Sequence, residues 1–287
     1  MRKMIAALLI AATTATTLIG CGKGAGDDGN TGARGLISVV SREEGSGTRG
    51  AFIELFGIEE KGADGNKIDR TTTEATIANS TEIVLSNVAG DPNAIGYVSL
   101  GSLKNTVKAL KVDGAGATVE NIKNGSYKIS RPFNIVTGST PSEVTKDFIN
   151  FILSEGGQKV VEEKGYIQAV DLPEDYVSTQ AKGKIVVEGS SSVSPVMEKL
   201  IEAYKSVNPN AVVELQPDDS TTGIQAAMDG TADIGMASRE LKDSEASLTA
   251  TVIAVDGIAV IVNQKNALSD VTREEVKAIF TGERTVW

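Results

Sequence analysis

Histidine is absent from the 287-residue chain, and cysteine occurs once, at Cys21. A single cysteine excludes any disulfide within the chain. Without histidine there is no imidazole to serve as base for a nucleophile such as Ser46, so the chain is expected not to be an enzyme. Positive charge is also scarce: 28 Lys and Arg stand against 38 Asp and Glu, a formal net charge of −10. That balance argues against nucleic acid as a partner. The phosphate-loop pattern G-x-x-x-x-G-K-[ST] is missing and no cluster of side chains reads as a metal site, so neither metal nor other cofactor is expected. Any anion site must then be built from neutral donors and one or two arginines.

What is present begins with MRKMIAALLIAATTATTLIGC, residues 1–21. Two basic residues followed by a short apolar run have the layout of a secretory signal peptide. The run is too short and too rich in threonine for a convincing membrane span. Its end, LIGC, resembles the bacterial lipobox. In that reading Cys21 is lipidated and holds the mature protein on the extracytoplasmic face of the cell membrane, several acyl chains anchoring better than one. Residues 22–35, GKGAGDDGNTGARG, read as a flexible tether. The body from 36 to 287 is long enough for two domains.

Short β-branched runs alternate with amphipathic stretches along the body, which implies an α/β layout with mainly parallel sheet. ISVV (37–40) precedes a helix with Phe52, Leu55 and Phe56 on one face. Residues 82–90 read as a short helix, and 94–100 and 107–114 as strands. The segment 141–164 reads as two helices interrupted at Gly156 and Gly157, with Val144, Phe148, Ile149 and Ile152 aligned. In the second half KIVVEGSSS (184–192) is a strand entering serines, followed by a helix with Met197, Leu200, Ile201 and Tyr204 in register. AVVEL (211–215) and ADIGMAS (232–238) are further strands. TVIAVDGIAVIVN (251–263) is the most hydrophobic strand region, with Asp256 at its turn. Thr272 and Glu275 form a capping-box pattern.

Three polar turns each join a strand to a helix: EEGSGTR (43–49), EGSSSVSP (188–195) and DDSTTGI (218–224). Each could be an ordinary N-cap. Together they carry more hydroxyls than capping consumes, and their glycines admit close approach of a ligand. Helix N-termini each add roughly 0.3–1 kcal/mol for an anion, and up to about 2 when partly buried. Arg42 is the candidate guanidinium, since its fork matches two oxygens of a tetrahedral anion, with Glu44 two residues on as the acid that steadies it. Arg49, one turn into the helix, is more naturally solvent-facing.

These stretches together, KIVVEGSSSVSPVMEKLIEAY, DSTTGIQAAMDGTADIGMASREL, TVIAVDGIAVIVN, IFTGE and ISVVSREEGSGTRGAF, resemble the phosphate-binding lipoproteins of bacterial ABC-type phosphate importers, in their Gram-positive form. The likeness covers nearly all of 36–287. The order of the halves departs from the family, where the segment like 184–287 comes first. This looks like a circular permutation, cut between Trp287 and Leu36 and closed by the connector 171–183; a rearranged frame or a fragment of a tandem gene are the alternatives.

The resemblance implies a periplasmic-binding-protein-like type II fold, a Venus flytrap of two lobes around a cleft. One lobe is expected at 130–262, including the connector, and the other at 36–129 plus 263–287. Carried over by motif, Arg42, Ser46, Gly47, Thr48, Ser191, Ser192, Ser220 and Ser238 contact inorganic phosphate. Gram-negative members have an aspartate where this chain has Ser238, and that acid accepts a proton from the ligand. Here Asp256 is the leading substitute, with Asp219 and Glu43 behind it. The implied partner is the ABC permease, served by a lipid-anchored monomer. Other readings are another tetrahedral oxyanion such as sulfate, molybdate or tungstate, a surface or sensory protein that keeps the fold without transport, or, from another class, a phosphate-ester enzyme.

Overall fold

The computed structural model describes residues 35–62 and 66–287. The expected signal peptide, Cys21 and the tether up to residue 34 lie outside the described residues. Among the described residues no helix is long and apolar enough to cross a membrane.

The main elements follow the apolar periods. In chain order they are β1 (Ser38–Arg42), α1 (Gly47–Leu55), β2 (Thr76–Ala78), α2 (Thr81–Gly90), β3 (Ala94–Ser99), β4 (Ser130–Thr137), α3 (Glu143–Leu153) and α4 (Glu155–Glu163). Then come β5 (Gly183–Ser190), α5 (Ser194–Val207), β6 (Ala211–Asp218), α6 (Ser220–Asp229), β7 (Ile234–Ala237), β8 (Thr249–Asn263) and α7 (Arg273–Phe280). Helical spacing decides the buried faces: Val144, Phe148 and Ile152 of α3 and Met197, Leu200 and Tyr204 of α5 are all buried. Thr272 caps α7 in a reciprocal pair with Glu275, as its sequence pattern predicts.

The strands run in the order β6-β5-β7-β4-β8-β3-β1-β2. β5 is parallel to β6 and β7, and β1 is parallel to β2 and β3. Between these two sets, β4 and β8 pair antiparallel with each other, β4 with β7 and β8 with β3. The expected, mainly parallel sheet is therefore mixed at its centre, because the chain passes between its two halves through antiparallel strands. Each half has its own core. The first gathers Phe133, Phe148, Leu200 and Ile253; the second gathers Phe52, Tyr97, Ile258 and Phe280. The result is mixed α/β with two lobes.

Three local expectations need correction. The break between α3 and α4 falls at Ser154, which ends one helix and caps the next; Gly156 and Gly157 lie inside α4. Asp256 occupies no turn, because β8 continues through it for 15 residues. The strand changes core between Ala254 and Ile258: Ile258, Val260 and Val262 pack with the second core, and Ala259 and Ile261 with a cluster around Val84 and Val98, so none of them packs with the first core, where the 262/263 boundary put them. The connector 171–183 is held by Asp147, which accepts from the Tyr176 hydroxyl at 2.7 Å and from Thr179 Oγ1 at 2.8 Å. Leu36 forms an antiparallel β-bridge with Val286, which sets these two segments of the body beside each other.

Candidate functional site: a hydroxyl-lined interlobe cleft

Arg42 is the last residue of β1 and is only 2% exposed. Its backbone is fixed from both sides. The Arg42 N–H donates to the Tyr97 hydroxyl at 3.1 Å, which is also 2.9 Å from Ser41 Oγ. Burial pushes the Tyr97 hydroxyl up from its ordinary pKa, against the lowering effect of Ser41 and the Arg42 N–H. Arg49 donates to the Arg42 carbonyl at 2.7 Å and to Asp69 Oδ2 at 2.8 Å. It thus lies behind the site as a brace, not free in solvent.

The acid that orients Arg42 is Glu43, not Glu44. Arg42 Nη2 reaches Glu43 Oε1 at 2.6 Å and Nε reaches Oε2 at 2.8 Å, the forked geometry that favours arginine over lysine. The alternation that would put Glu44 on the same face as Arg42 stops where the strand stops. A turn closed by Ser46 N–H to the Glu43 carbonyl at 3.1 Å follows, and Glu44 is exposed there. Arg42's remaining donors point at hydroxyls: Nη1 to Thr81 Oγ1 at 3.2 Å and the second N–H of Nη2 to Ser191 Oγ at 3.1 Å.

Helix starts supply the rest. Ser46 caps α1 by accepting from the Arg49 N–H at 3.3 Å, which leaves its hydroxyl proton free to donate. Gly47 follows, and a Cβ there would come within 2.5 Å of Ser220 Oγ and 2.8 Å of Ser238 Oγ; only glycine lets α1 approach the other lobe so closely. Thr48 Oγ1 meets Ser192 Oγ at 2.8 Å and Ser238 Oγ at 3.4 Å. Ser238 also lies 3.0 Å from Ser190 Oγ and 3.3 Å from Ser220 Oγ. Arg42 and Thr48 come from one lobe and the serines from the other. Their mutual contacts bring the first turns of α1, α2, α5 and α6 to one place, and helix N-termini with free N–H groups favour an anion.

Two members of this cluster were missed in the sequence. Thr81, at the start of α2, touches Arg42, Ser191 at 3.4 Å and Ser192 at 3.1 Å. Its signal, Asn79-Ser80-Thr81-Glu82, is a fourth strand-to-helix hydroxyl turn. It was obscured because β2, with three residues, is too short to register as a strand. Ser190 lay inside the polar turn EGSSSVSP, but only Ser191 and Ser192 were carried over from it; it is the last residue of β5.

The candidate proton acceptors fall elsewhere. Asp219 caps α6, accepting from the Thr222 N–H at 2.9 Å and its hydroxyl at 3.0 Å. Asp256 is buried in β8, paired with Arg131 and accepting from Ser99 Oγ at 2.9 Å. Neither bonds to the hydroxyl cluster, whereas Glu43 does through Arg42. Among the described residues no group of His, Cys, Asp and Glu is arranged to hold a metal ion.

Two cores joined by crossing strands, with polar donors of both meeting in one cleft, define a two-lobed binding protein for a small ligand. A family model described as the PBP superfamily domain matches residues 25–156 and 175–287. Phosphate-binding protein PstS 2 of Streptococcus agalactiae is 57% identical over 272 residues, which are 94% of this chain and 92% of that one. A crystal structure of a phosphate ABC transporter's phosphate-binding protein from Streptococcus pneumoniae is 50% identical and superposes with a TM-score of 0.70, covering 88% of this chain and 98% of that one. The phosphate-binding protein PstS of Bacillus subtilis is 30% identical over 150 residues, 52% of this chain and 46% of its own. The chain belongs to the PBP superfamily and, within it, to the family of the PstS phosphate-binding proteins.

Proposed function

We propose that this protein binds inorganic phosphate between its lobes and delivers it to an ABC-type permease, acting as a binding component and not as an enzyme. The observation that carries this reading is the meeting of Arg42, Thr48 and Thr81 with Ser190, Ser191, Ser192, Ser220 and Ser238 across the cleft. Arg42 is compensated by Glu43, so the cluster offers many directed donors and almost no net charge. A dianion held there gains charge-assisted hydrogen bonds in a site from which closure excludes water. Membership of the PstS family selects phosphate from the tetrahedral oxyanions. Glu43 is the acid best placed to accept a ligand proton, in the role expected of Asp256. Titration calorimetry with phosphate, sulfate and molybdate tests the reading: one phosphate bound per chain, with sulfate and molybdate far weaker, is expected. Equal affinities would move the reading to oxyanions in general.

Lipidation at Cys21, an extracytoplasmic location on the membrane and a monomeric state are part of the same proposal. So is the circularly permuted order. It is supported by the near-complete match to the Streptococcus agalactiae protein beside the half-length match to that of Bacillus subtilis, and by Leu36 lying against Val286, where the usual order would run on without a break. Near-complete coverage of a relative also argues against a rearranged frame. Mass spectrometry of the membrane-extracted protein, seeking a diacylglyceryl group on Cys21, tests the anchor.

A further inference from the structure

The two lobes are joined where β4 begins and β8 changes core. Asp256 is the strand partner of Arg131 and Gly257 that of Ser130, and the Ile258 N–H donates to the Ile129 carbonyl at 2.9 Å. At this crossing Arg131 Nη2 meets Asp256 Oδ2 at 3.1 Å, with the two side chains 3% and 0% exposed. It is a poor pairing for so deep a place. One nitrogen makes the contact, while Arg131 Nε and Nη1 have no protein acceptor. Burial pulls the Arg131 pKa down, although Asp256 opposes this, and pushes Asp256 up to about 6, although Arg131 and Ser99 lower it. For both partners burial is the largest influence, as expected when a charge pair loses more hydration than its geometry returns.

The surroundings of the pair come from both lobes. Ser99 ends β3 in the second lobe and Gly101 follows it, and the Ser99 hydroxyl donates to Asp256 at 2.9 Å. Tyr166 belongs to the first core, yet a Cβ on Gly101 would lie 2.1 Å from its ring. Tyr166 Oη and Ser102 Oγ make no well-formed hydrogen bond there. The titratable groups acting on Asp256 are Arg131 and the hydroxyls of Tyr127 and Tyr166, both pushed up chiefly by burial; Arg42 acts in turn on Arg131. The cover over the pair is therefore shared: Ser99 is held beside it by the β3–β8 ladder, where it is the partner of Ile258, while Tyr166 of the first core packs against Gly101.

We propose that Arg131 and Asp256 are positioning residues whose burial at the crossing opposes closure, so that the cleft shuts fully only when an anion links Arg42, Thr48 and Thr81 to the serines opposite. Such a pair weakens binding in exchange for an open, receptive cleft and easier release. It rests on the cleft being the phosphate site.

The test is the double substitution Arg131→Met with Asp256→Leu, which fills the volume without charge. Small-angle scattering without phosphate should show a more compact molecule than the wild type, and calorimetry should show phosphate binding at least about threefold tighter. The affinity ratio of wild type to double variant cancels the ligand's own titration. The wild type should fall behind as pH rises from about 4 to about 6, between the ordinary carboxyl pKa and the raised value of the buried Asp256. Unchanged scattering with equal or weaker binding, or a pH-independent ratio, would overturn the proposal. Should the double variant not fold, Ser99→Ala decides. Removing that hydrogen bond to ionised Asp256 should weaken binding about twofold near pH 8 and leave it unchanged near pH 5; a flat ratio speaks against the pair. If phosphate fails to bind the wild type at all, the function reading falls, while the scattering comparison still judges the hinge.

Discussion

Arg42 and Arg131 are both arginines beside a carboxylate, both almost wholly buried at 2% and 5% exposure, and their circumstances are opposite. Arg42 ends a strand. The turn after it brings Glu43 round to a forked contact and leaves the other donor directions facing hydroxyls of both lobes. Arg131 lies within a strand whose register fixes Asp256 opposite it, and the pair meets through a single nitrogen. The difference shows that burial alone does not make a charge pair functional or structural. Backbone position decides how many donors remain, and where they point.

Breaking each pair should separate the two roles. Asp256→Ala leaves Arg131 as a buried unpaired cation and should cost about 3–5 kcal/mol of stability in denaturant unfolding. Arg42→Ala should instead weaken phosphate binding by at least about 2 kcal/mol, the cost of losing a charged donor in a desolvated site; unchanged affinity would remove Arg42 from the site. Thr81→Val, which deletes a hydroxyl and keeps the shape, should weaken binding by about 1 kcal/mol in calorimetry. Asp256→Asn should leave the preference for phosphate over sulfate unchanged while Glu43→Gln relaxes it; the opposite pattern in competition titrations would return the acceptor role to Asp256.

Protonation sharpens the contrast further. The folded pKa of Asp256 is raised from 3.8 to about 6, so the folded state holds this proton more tightly than the unfolded chain. Its penalty is absent below the ordinary value and grows as pH rises towards the folded value. Asp147 behaves the other way. Burial would raise it, but the hydroxyls of Tyr204 and Tyr176 and the Thr179 donors outweigh that and lower it. Its stabilisation is present above the ordinary carboxylate range and is lost as pH falls. Replacing Asp147 with Asn should therefore flatten the acid side of the unfolding profile, whereas Asp256→Asn should change it between about pH 4 and about pH 6.

Much of this was legible in the residues. Amphipathic periods locate α1, α3 and α5, because those faces pack on cores of matching period. Hydroxyl turns locate Thr48, Ser192 and Ser220, because helix starts are where unsatisfied N–H groups gather. Thr81 escaped because its preceding strand is short. Glu44 was preferred to Glu43 because it lies two residues on from Arg42, but the turn after the strand carries Glu44 out to solvent and brings Glu43 to the guanidinium. Asp256 looked like a turn residue because aspartate followed by glycine usually is one; here the pair sits where one strand serves two lobes, a tertiary circumstance with no local signature.

The central claim is that donors from both lobes hold one anion. Its most direct measurement is a phosphate titration of the wild type beside Arg42→Ala and Ser220→Ala, one substitution in each lobe. One tightly bound phosphate per chain, weakened by either change, is the predicted result. Full affinity retained by either variant, or no binding by the wild type, would contradict it.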